Sequence, residues 1–330
     1  MSQPIDFVIM WVDGSDSEWR KKKNKYSGVV DTNIDDSDER YRDWNNLELW
    51  FQTVEVFAPW VNQVYLLTDN QVLDFVSKYP QVKVVDHTEF IPVEYLPTFN
   101  SHAIELNAHR IEGLSEQFVL FNDDMFIIKP VQPTDFFVDG KPKDSYAANI
   151  INGVGKQNLI NYILLNNMTV INEHFDKKTQ LKKYFKKWFN LQNGPFLLKT
   201  LLLTPWPHFT GFVEPHIANS YLKSTFREVW EKEFDMLDSS CRNKFRHQND
   251  VNQWVMRNWQ LAAGTPVNRK HNFGHLFMVD ENNLDECVDW IKNQKTSMVC
   301  VNDESSIKDF TAVTKRVNDA LASTITNNKK

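Results

Sequence analysis

Asp123 and Asp124 stand side by side between two apolar runs, Phe118-Val119-Leu120-Phe121 before Asn122 and Met125-Phe126-Ile127-Ile128 after. Strand-friendly residues on both sides predict a buried strand that delivers two carboxylates to its carboxyl end. In an open α/β sheet that end is where ligands bind. Adjacent carboxylates repel each other, and a cation relieves the repulsion. Oxygen donors of this kind suit Mg²⁺ or Mn²⁺, which bridge carboxylates to a substrate phosphate. The plainer alternative is an Asn-Asp-Asp turn whose side chains cap backbone groups. A second stretch ends the same way: Val299-Cys300-Val301 reads as a short strand and runs into Asn302-Asp303. If both strands lie in one sheet, their carboxylates can converge on one cation.

Other candidates are spread along the chain. Residues 5–12 form an apolar run broken by Asp6, and Asp13-Gly14-Ser15-Asp16 closes it. A strand, a tight turn and a helix capped by Ser15 or Asp16, running through Trp19 and Lys23, make a corner whose free backbone N–H groups favour anions. No Gly-x-Gly-x-x-Gly motif is present, so a dinucleotide site is not supported. Arg40 and Arg42 precede a helix over 45–57; they offer a phosphate cradle or, alternatively, surface pairing with Asp43 and the acidic stretch before them. Ser101 is placed to cap a helix on which His102, Glu105 and His109 share a face, either solvated or turned to a site. His216 follows Pro215, and Arg246 and His247 precede Asp250.

The elements that must position these residues follow from the apolar pattern. Strands over 61–68 and 82–86 alternate with helices over 45–57 and 71–78, which implies a parallel sheet covered on both faces. Residues 24–39 read as a mobile, acidic loop. Residues 131–150 look like a Pro/Gly-punctuated β segment. From about 156 to 203 the pattern turns helical and basic, with Lys177, Lys178, Lys182, Lys183, Lys186 and Lys187 among aromatics. That stretch is a solvated amphipathic helix or a surface for anionic lipid headgroups. Ile217, Tyr221, Val229 and Phe234 mark helices, and a last helix starts near Ser305.

The 330 residues suffice for a full core, and 42% hydrophobic with 24% charged residues is ordinary globular composition. A net charge of -6 gives no sign of a nucleic-acid partner. Three cysteines form neither a disulfide framework nor a zinc pattern and fit a reducing, cytoplasmic setting. The first residues lack a leader pattern and no apolar run is long enough to span a membrane, so any membrane contact is expected to be peripheral, at the inner face.

Four blocks in order resemble the Stealth family of sugar-1-phosphate transferases, which includes bacterial capsule polymerases. They are Ile5-Asp6-Phe7-Val8-Ile9-Met10-Trp11-Val12-Asp13-Gly14-Ser15-Asp16; the stretch 40–130 with Arg42-Asp43, Phe99-Asn100-Ser101-His102 and Phe121-Asn122-Asp123-Asp124; Pro215-His216 with Phe245-Arg246-His247-Gln248-Asn249-Asp250; and Cys300-Val301-Asn302-Asp303. The chain departs from the pattern at Trp44-Asn45-Asn46-Leu47-Glu48. The resemblance implies an α/β, Rossmann-like and GT-A-like nucleotide-sugar transferase core with a helical insertion. It implies transfer of a sugar-1-phosphate from a UDP-sugar to a hydroxyl of a glycan or lipid-linked oligosaccharide, with release of UMP. On that reading Trp11, Val12, Asp13, Gly14, Ser15 and Arg42 hold the nucleotide, and Asp124 and Asp303 hold Mg²⁺ or Mn²⁺. Arg246 clamps the transferred phosphate, His216 or His102 takes the acceptor proton, and Asp123 is the further catalytic carboxylate. Residues 1–150 are the nucleotide-sugar-binding part, 151–205 the basic insertion, and 206–330 complete the same domain. The rivals are an ordinary glycosyltransferase that releases UDP and a non-catalytic carbohydrate-binding protein. No oligomeric state follows from the sequence.

Overall fold

An apolar run without alternation needs cover on both faces, and the first strand has it. The computed structural model describes residues 3–27, 34–35, 41–71, 73–153, 158–303 and 307–328. Strands β1 (Ile5–Met10), β2 (Val64–Thr68), β3 (Val82–Asp86), β4 (Gln117–Phe121), β5 (Met125–Ile127), β6 (Asn219–Leu222), β7 (Gly274–Val279) and β8 (Met298–Asp303) build two sheets. The first runs β3-β2-β1-β4-β6, with β1 to β4 parallel and β6 antiparallel. The second runs β7-β8-β5, with β5 antiparallel to β8. The chain is an α/β protein with a Rossmann-like sheet, as its sequence predicts.

Strand alternation sends Phe7 and Ile9 to one face, in one core with Trp50 and Phe51 of the helix Leu47–Phe57 and Val317 and Leu321 of the C-terminal helix Phe310–Asn328. Val8 and Met10 meet Ile171 of the helix Leu159–His174 and Val255 and Trp259 of the helix Trp254–Ala262. Asp6, the polar break in β1, is fully buried and accepts from the Asn62 side-chain amide and the Ser115 N–H, each at 2.7 Å. It ties two loops at the amino end of the sheet. Asp6→Ala strands both donors, so urea unfolding should show a loss of about 2 kcal/mol.

After β3 the chain crosses over β1 to form β4. The sheet therefore changes winding direction between β1 and β4, and a crevice opens beyond their carboxyl ends, as at the switch point of doubly wound sheets. Asn122-Asp123-Asp124 lies in that crevice and links β4 of one sheet to β5 of the other.

Several local expectations change. Residues 71–78 do not form an α-helix; only a 3-10 turn, Asp74–Lys78, is present, because Gln71 is drawn to the backbone of Asp13. Tyr221 lies in an edge strand, and Ile217 in the bend before it, rather than in a helix. Asn100 caps the helix Ser101–Asn107 in place of Ser101, accepting from the His102 N–H at 3.1 Å. The two Asn-Asp strand ends lie in different sheets. They still meet, because β5 pairs with β8 and the Val301 N–H donates to the Asp124 carbonyl at 2.8 Å. Of the loop expected over 24–39, residues 28–33 and 36–40 lie outside the described residues, as do Arg40 and the helix start expected near Ser305. No described helix is long and apolar enough to cross a membrane.

Candidate active site

The crevice is a cleft of about 450 Å³. Its walls come from the ends of three strands: Trp11 and Val12 after β1, Asn122, Asp123 and Asp124 after β4, and Val301, Asn302 and Asp303 in β8. Arg42, Asp43, His216 and Arg246 complete the charged lining. Of the residues singled out by sequence, Trp11, Val12, Arg42, Asp123, Asp124, His216, Arg246 and Asp303 line the cleft. Asp13, Gly14, Ser15 and His102 do not.

Those four sit behind the wall. Asp13 Oδ1 accepts from both the N–H and the hydroxyl of Ser15, at 2.7 and 2.6 Å. Asp16 caps the helix Ser17–Asn24 as its type predicts. Gly14 is required by close approach: a Cβ there would fall 2.0 Å from the Tyr41 carbonyl oxygen. His102 is buried, and its Nδ1 lies 3.1 Å from Asp250 Oδ2. Asp250 also accepts from the Asn100 amide, the Asn243 amide and the His247 N–H, at 2.9, 2.7 and 2.9 Å. One buried carboxylate thus fastens the start of the helix Ser101–Asn107 to the loop that carries Arg246. Across this joint Ser101 Oγ accepts from Arg246 Nη2 at 2.8 Å and Nε at 3.2 Å, which sets the guanidinium at the cleft wall.

The carboxylates are crowded. Asp123 is exposed to the cleft, and its carboxyl is pushed up to about 7, first by lost hydration, then by Asp124 and Asp43. Burial likewise raises Asp43. Asp124 Oδ1 is buried without a hydrogen-bond partner. Its Oδ2 accepts from the Cys300 thiol at 3.2 Å and lies 4.0 Å from His216 Nε2. Burial holds Cys300 protonated, so it serves Asp124 as a donor. Ligand atoms of Asp124, His216 and Cys300 lie within 4.8 Å of one another. Asp303 lines the same cleft, where Arg42 pairs with it at 3.2 Å and stacks on Phe310 at 4.6 Å. An orphaned buried carboxylate oxygen, a neighbouring carboxylate that favours a proton and a third within the same cleft fit a hard divalent cation.

His216 takes a left-handed backbone, φ 46°, which is uncommon outside glycine and asparagine. Neighbours fix it there. Glu214 pairs with the buried Arg257 at 2.7 Å, and Arg257 grips Asp144 with two further bonds at 2.7 and 2.9 Å. The Trp254 ring meets the imidazole edge-on at 5.6 Å. At the other end of the cleft Trp19, Tyr41 and Phe99 form an aromatic wall, with Trp19 5.1 Å from Tyr41 and 5.5 Å from Phe99.

The sequence reading missed part of this lining. Asp43 had been seen only as a charge partner, and Trp44 and Asn46 fall in the stretch that departs from the family pattern; all three line the cleft. The C-terminal helix holds that stretch through Asn318, which donates to the Trp44 carbonyl at 3.0 Å. His87 also lines the cleft, kept neutral by burial, which lowers it to about 4. Glu105 belongs to a helical face that proves buried; lost hydration raises its carboxyl to about 8 against the opposing charge of Arg246. Unfolded Glu105 ionises near its ordinary 4.5, whereas the folded protein keeps the proton to about 8. Its burial therefore costs stability increasingly across that range. Glu105→Gln should melt with the parent below pH 4.5 and gain on the order of 1–3 kcal/mol over it by pH 7.

The chain is also similar to known proteins. Residues 3–29 match conserved region 1 of the Stealth proteins and residues 40–144 match conserved region 2. The capsular polysaccharide phosphotransferase WcwK of Streptococcus pneumoniae is 40% identical over 321 residues, which span 97% of this chain and 95% of that one. This chain belongs to the Stealth family. Within it, the exopolysaccharide phosphotransferase cps2G of Lactiplantibacillus plantarum is 39% identical over 97% of this chain and 93% of its own. The receptor polysaccharide phosphotransferase WefC of Streptococcus gordonii is 40% identical over 94% of this Stealth chain and 93% of its own. Among solved structures, the galactosyltransferase LgtC aligns over 96% of this chain and 95% of its own at TM-score 0.38 and 10% identity, too remote for anything to follow from it.

Proposed function

We propose that this Stealth protein is a phosphotransferase of capsular or exopolysaccharide synthesis. It moves a hexose-1-phosphate or N-acetylhexosamine-1-phosphate from a UDP-sugar to a hydroxyl of a glycan acceptor and releases UMP. The observation that carries the reading is the meeting of Asp123, Asp124, His216 and Arg246 on one cleft, in a chain 40% identical over nearly its whole length to a capsular polysaccharide phosphotransferase. Phosphoryl transfer asks the protein for positioning and charge neutralisation more than for covalent chemistry.

The acceptor oxygen attacks the phosphorus that carries the sugar. That P–O bond forms as the bond to the bridging diphosphate oxygen breaks, and UMP leaves with the bridging oxygen. His216 accepts the proton of the attacking hydroxyl. Arg246, already oriented by Ser101, meets the transferred phosphate with little reorganisation. Trp11 and Val12, braced by the turn through Asp13, Gly14 and Ser15, hold the nucleotide with Arg42, while the aromatic wall offers faces for a base or sugar ring. Mg²⁺ or Mn²⁺ held by Asp124, with Asp123 and Asp303 beside it, would neutralise the diphosphate and the leaving UMP. Asp123 must be ionised for this, so kcat/KM should fall as the pH is lowered, at a pH that the bound cation shifts down from that of the metal-free protein. The enzyme works in the cytoplasm, at the inner face of the membrane where a lipid-linked oligosaccharide is presented.

The test is the nucleotide product. With UDP-N-acetylglucosamine or UDP-galactose, a capsular oligosaccharide and Mg²⁺, chromatography should resolve UMP, and a chelator should abolish it. UDP as the product would contradict the proposal.

A further inference from the structure

The basic insertion carries an apolar face that the chain leaves uncovered. In the helix Phe196–Leu203, Leu198, Leu201 and Leu202 recur at helical spacing and are 64%, 51% and 66% exposed. Trp206, just beyond its end, is 53% exposed. Thr200 and Leu203, on the opposite side, are buried. A surface helix normally turns its leucines inward; this one turns three of them out. The turn Leu191–Asn193 packs beside it and adds Leu191, 87% exposed. Contiguous exposed apolar side chains mark a contact surface.

Its neighbourhood is basic. Lys178, Lys182, Lys183 and Lys186 are exposed, whereas two lysines of the same run are structural. Lys177 is buried and donates to the Leu203 and Trp206 carbonyls at 2.6 and 2.9 Å. Lys187 donates to the Pro266 carbonyl at 2.8 Å. At the other end Asn193 donates to the Trp188 carbonyl at 3.0 Å. The lysine run is therefore tied to the carboxyl end of the leucine helix and to the turn that precedes it. Asn166, on the helix Leu159–His174, donates to the carbonyls of Gln248 and Asp250 at 2.9 Å, in the loop that carries Arg246.

We propose that this face docks on an anionic lipid bilayer. Leu198, Leu201, Leu202 and Trp206 seat at the boundary between headgroups and acyl chains, and Lys178, Lys182, Lys183 and Lys186 meet anionic headgroups. Apolar side chains flanked by lysines are the composition of an interfacial helix, and each lysine near an anionic surface adds attraction that salt screens. A second copy of this chain would bring the same lysines face to face, which opposes self-association through the patch. The docking rests on the phosphotransferase reading only for its purpose, which is to bring the cleft to a lipid-linked acceptor.

The test is co-sedimentation of the full chain with vesicles of phosphatidylglycerol and phosphatidylcholine, and with phosphatidylcholine alone. Binding is expected only to the anionic vesicles and should weaken in high salt. The triple variant Leu198→Gln, Leu201→Gln, Leu202→Gln and the triple variant Lys182→Gln, Lys183→Gln, Lys186→Gln should each partition about tenfold less. Both should keep the parental melting temperature and UMP release with a soluble acceptor. Absence of binding at low salt, equal binding by properly folded variants, or a parental dimer that the leucine variant makes monomeric while vesicle binding is unchanged would each overturn the proposal. If neither parent nor variants release UMP, the phosphotransferase reading fails while the vesicle result stands on its own.

Discussion

Asp124→Asn lowers kcat for UMP release by on the order of 10³-fold while leaving the melting temperature unchanged or higher. The carboxylate is the hub of the cleft: Oδ1 is buried without a partner, and Oδ2 lies between the Cys300 thiol and His216. Among the described residues no cation other than His216, 4.0 Å away, is paired with it. Removing it relieves repulsion of Asp123, whose carboxyl Asp124 helps to raise, so stability does not suffer. Activity does, because the group placed to neutralise the diphosphate is gone. Residual activity should hold to lower pH than in the parent, since Asp123 then ionises more readily. Calorimetric titration with Mn²⁺ gives a readout independent of turnover, and the variant should bind it markedly more weakly. Parental activity, or a collapse of the fold, would refute this role for Asp124.

His216→Asn lowers kcat by about 10²- to 10⁴-fold with a small change in KM. Asparagine is chosen because it tolerates the left-handed backbone that this position adopts, φ 46°. The Glu214–Arg257–Asp144 network and the Trp254 ring persist in the variant, so lost activity reports the imidazole and not the loop. Histidine 102 offers the contrast. It is buried on Asp250 and does not line the cleft. His102→Asn should act through the placement of Arg246, raising KM for the donor more than it lowers kcat. If His102→Asn instead reproduced the kcat loss and His216→Asn spared it, the two roles would be reversed.

Local signals in the chain were legible wherever a residue's neighbours in sequence decide its fate. The apolar run of β1 demanded a covered strand, Asp16 had only the next helix to cap, and Asn122-Asp123-Asp124 followed an unambiguous strand. What stayed hidden depends on partners far away in sequence. The face of His102 and Glu105 stayed open between solvent and a site because Asp250, on which His102 is buried, is 148 residues away. Arg42 could not be matched to Asp303 across 261 positions. Residues 71–78 have helical composition, but the backbone of Asp13 claims Gln71. The meeting of the two Asn-Asp strand ends was conceived within one sheet, yet arises because the turn after β4 crosses to a second sheet and pairs there with β8. The outward leucines of the helix Phe196–Leu203 could not be told from core leucines, since sequence does not say which face of a short helix is covered.

The central claim concerns which bond breaks, and the phosphorus atom next to the sugar records it. A UDP-sugar labelled with ³²P at that phosphorus, incubated with the protein, Mg²⁺ and a capsular oligosaccharide, should pass its label to the glycan in a form resistant to phosphatase, with unlabelled UMP left behind. Label found in UDP would mean that the sugar C–O bond had broken instead, and would contradict the account.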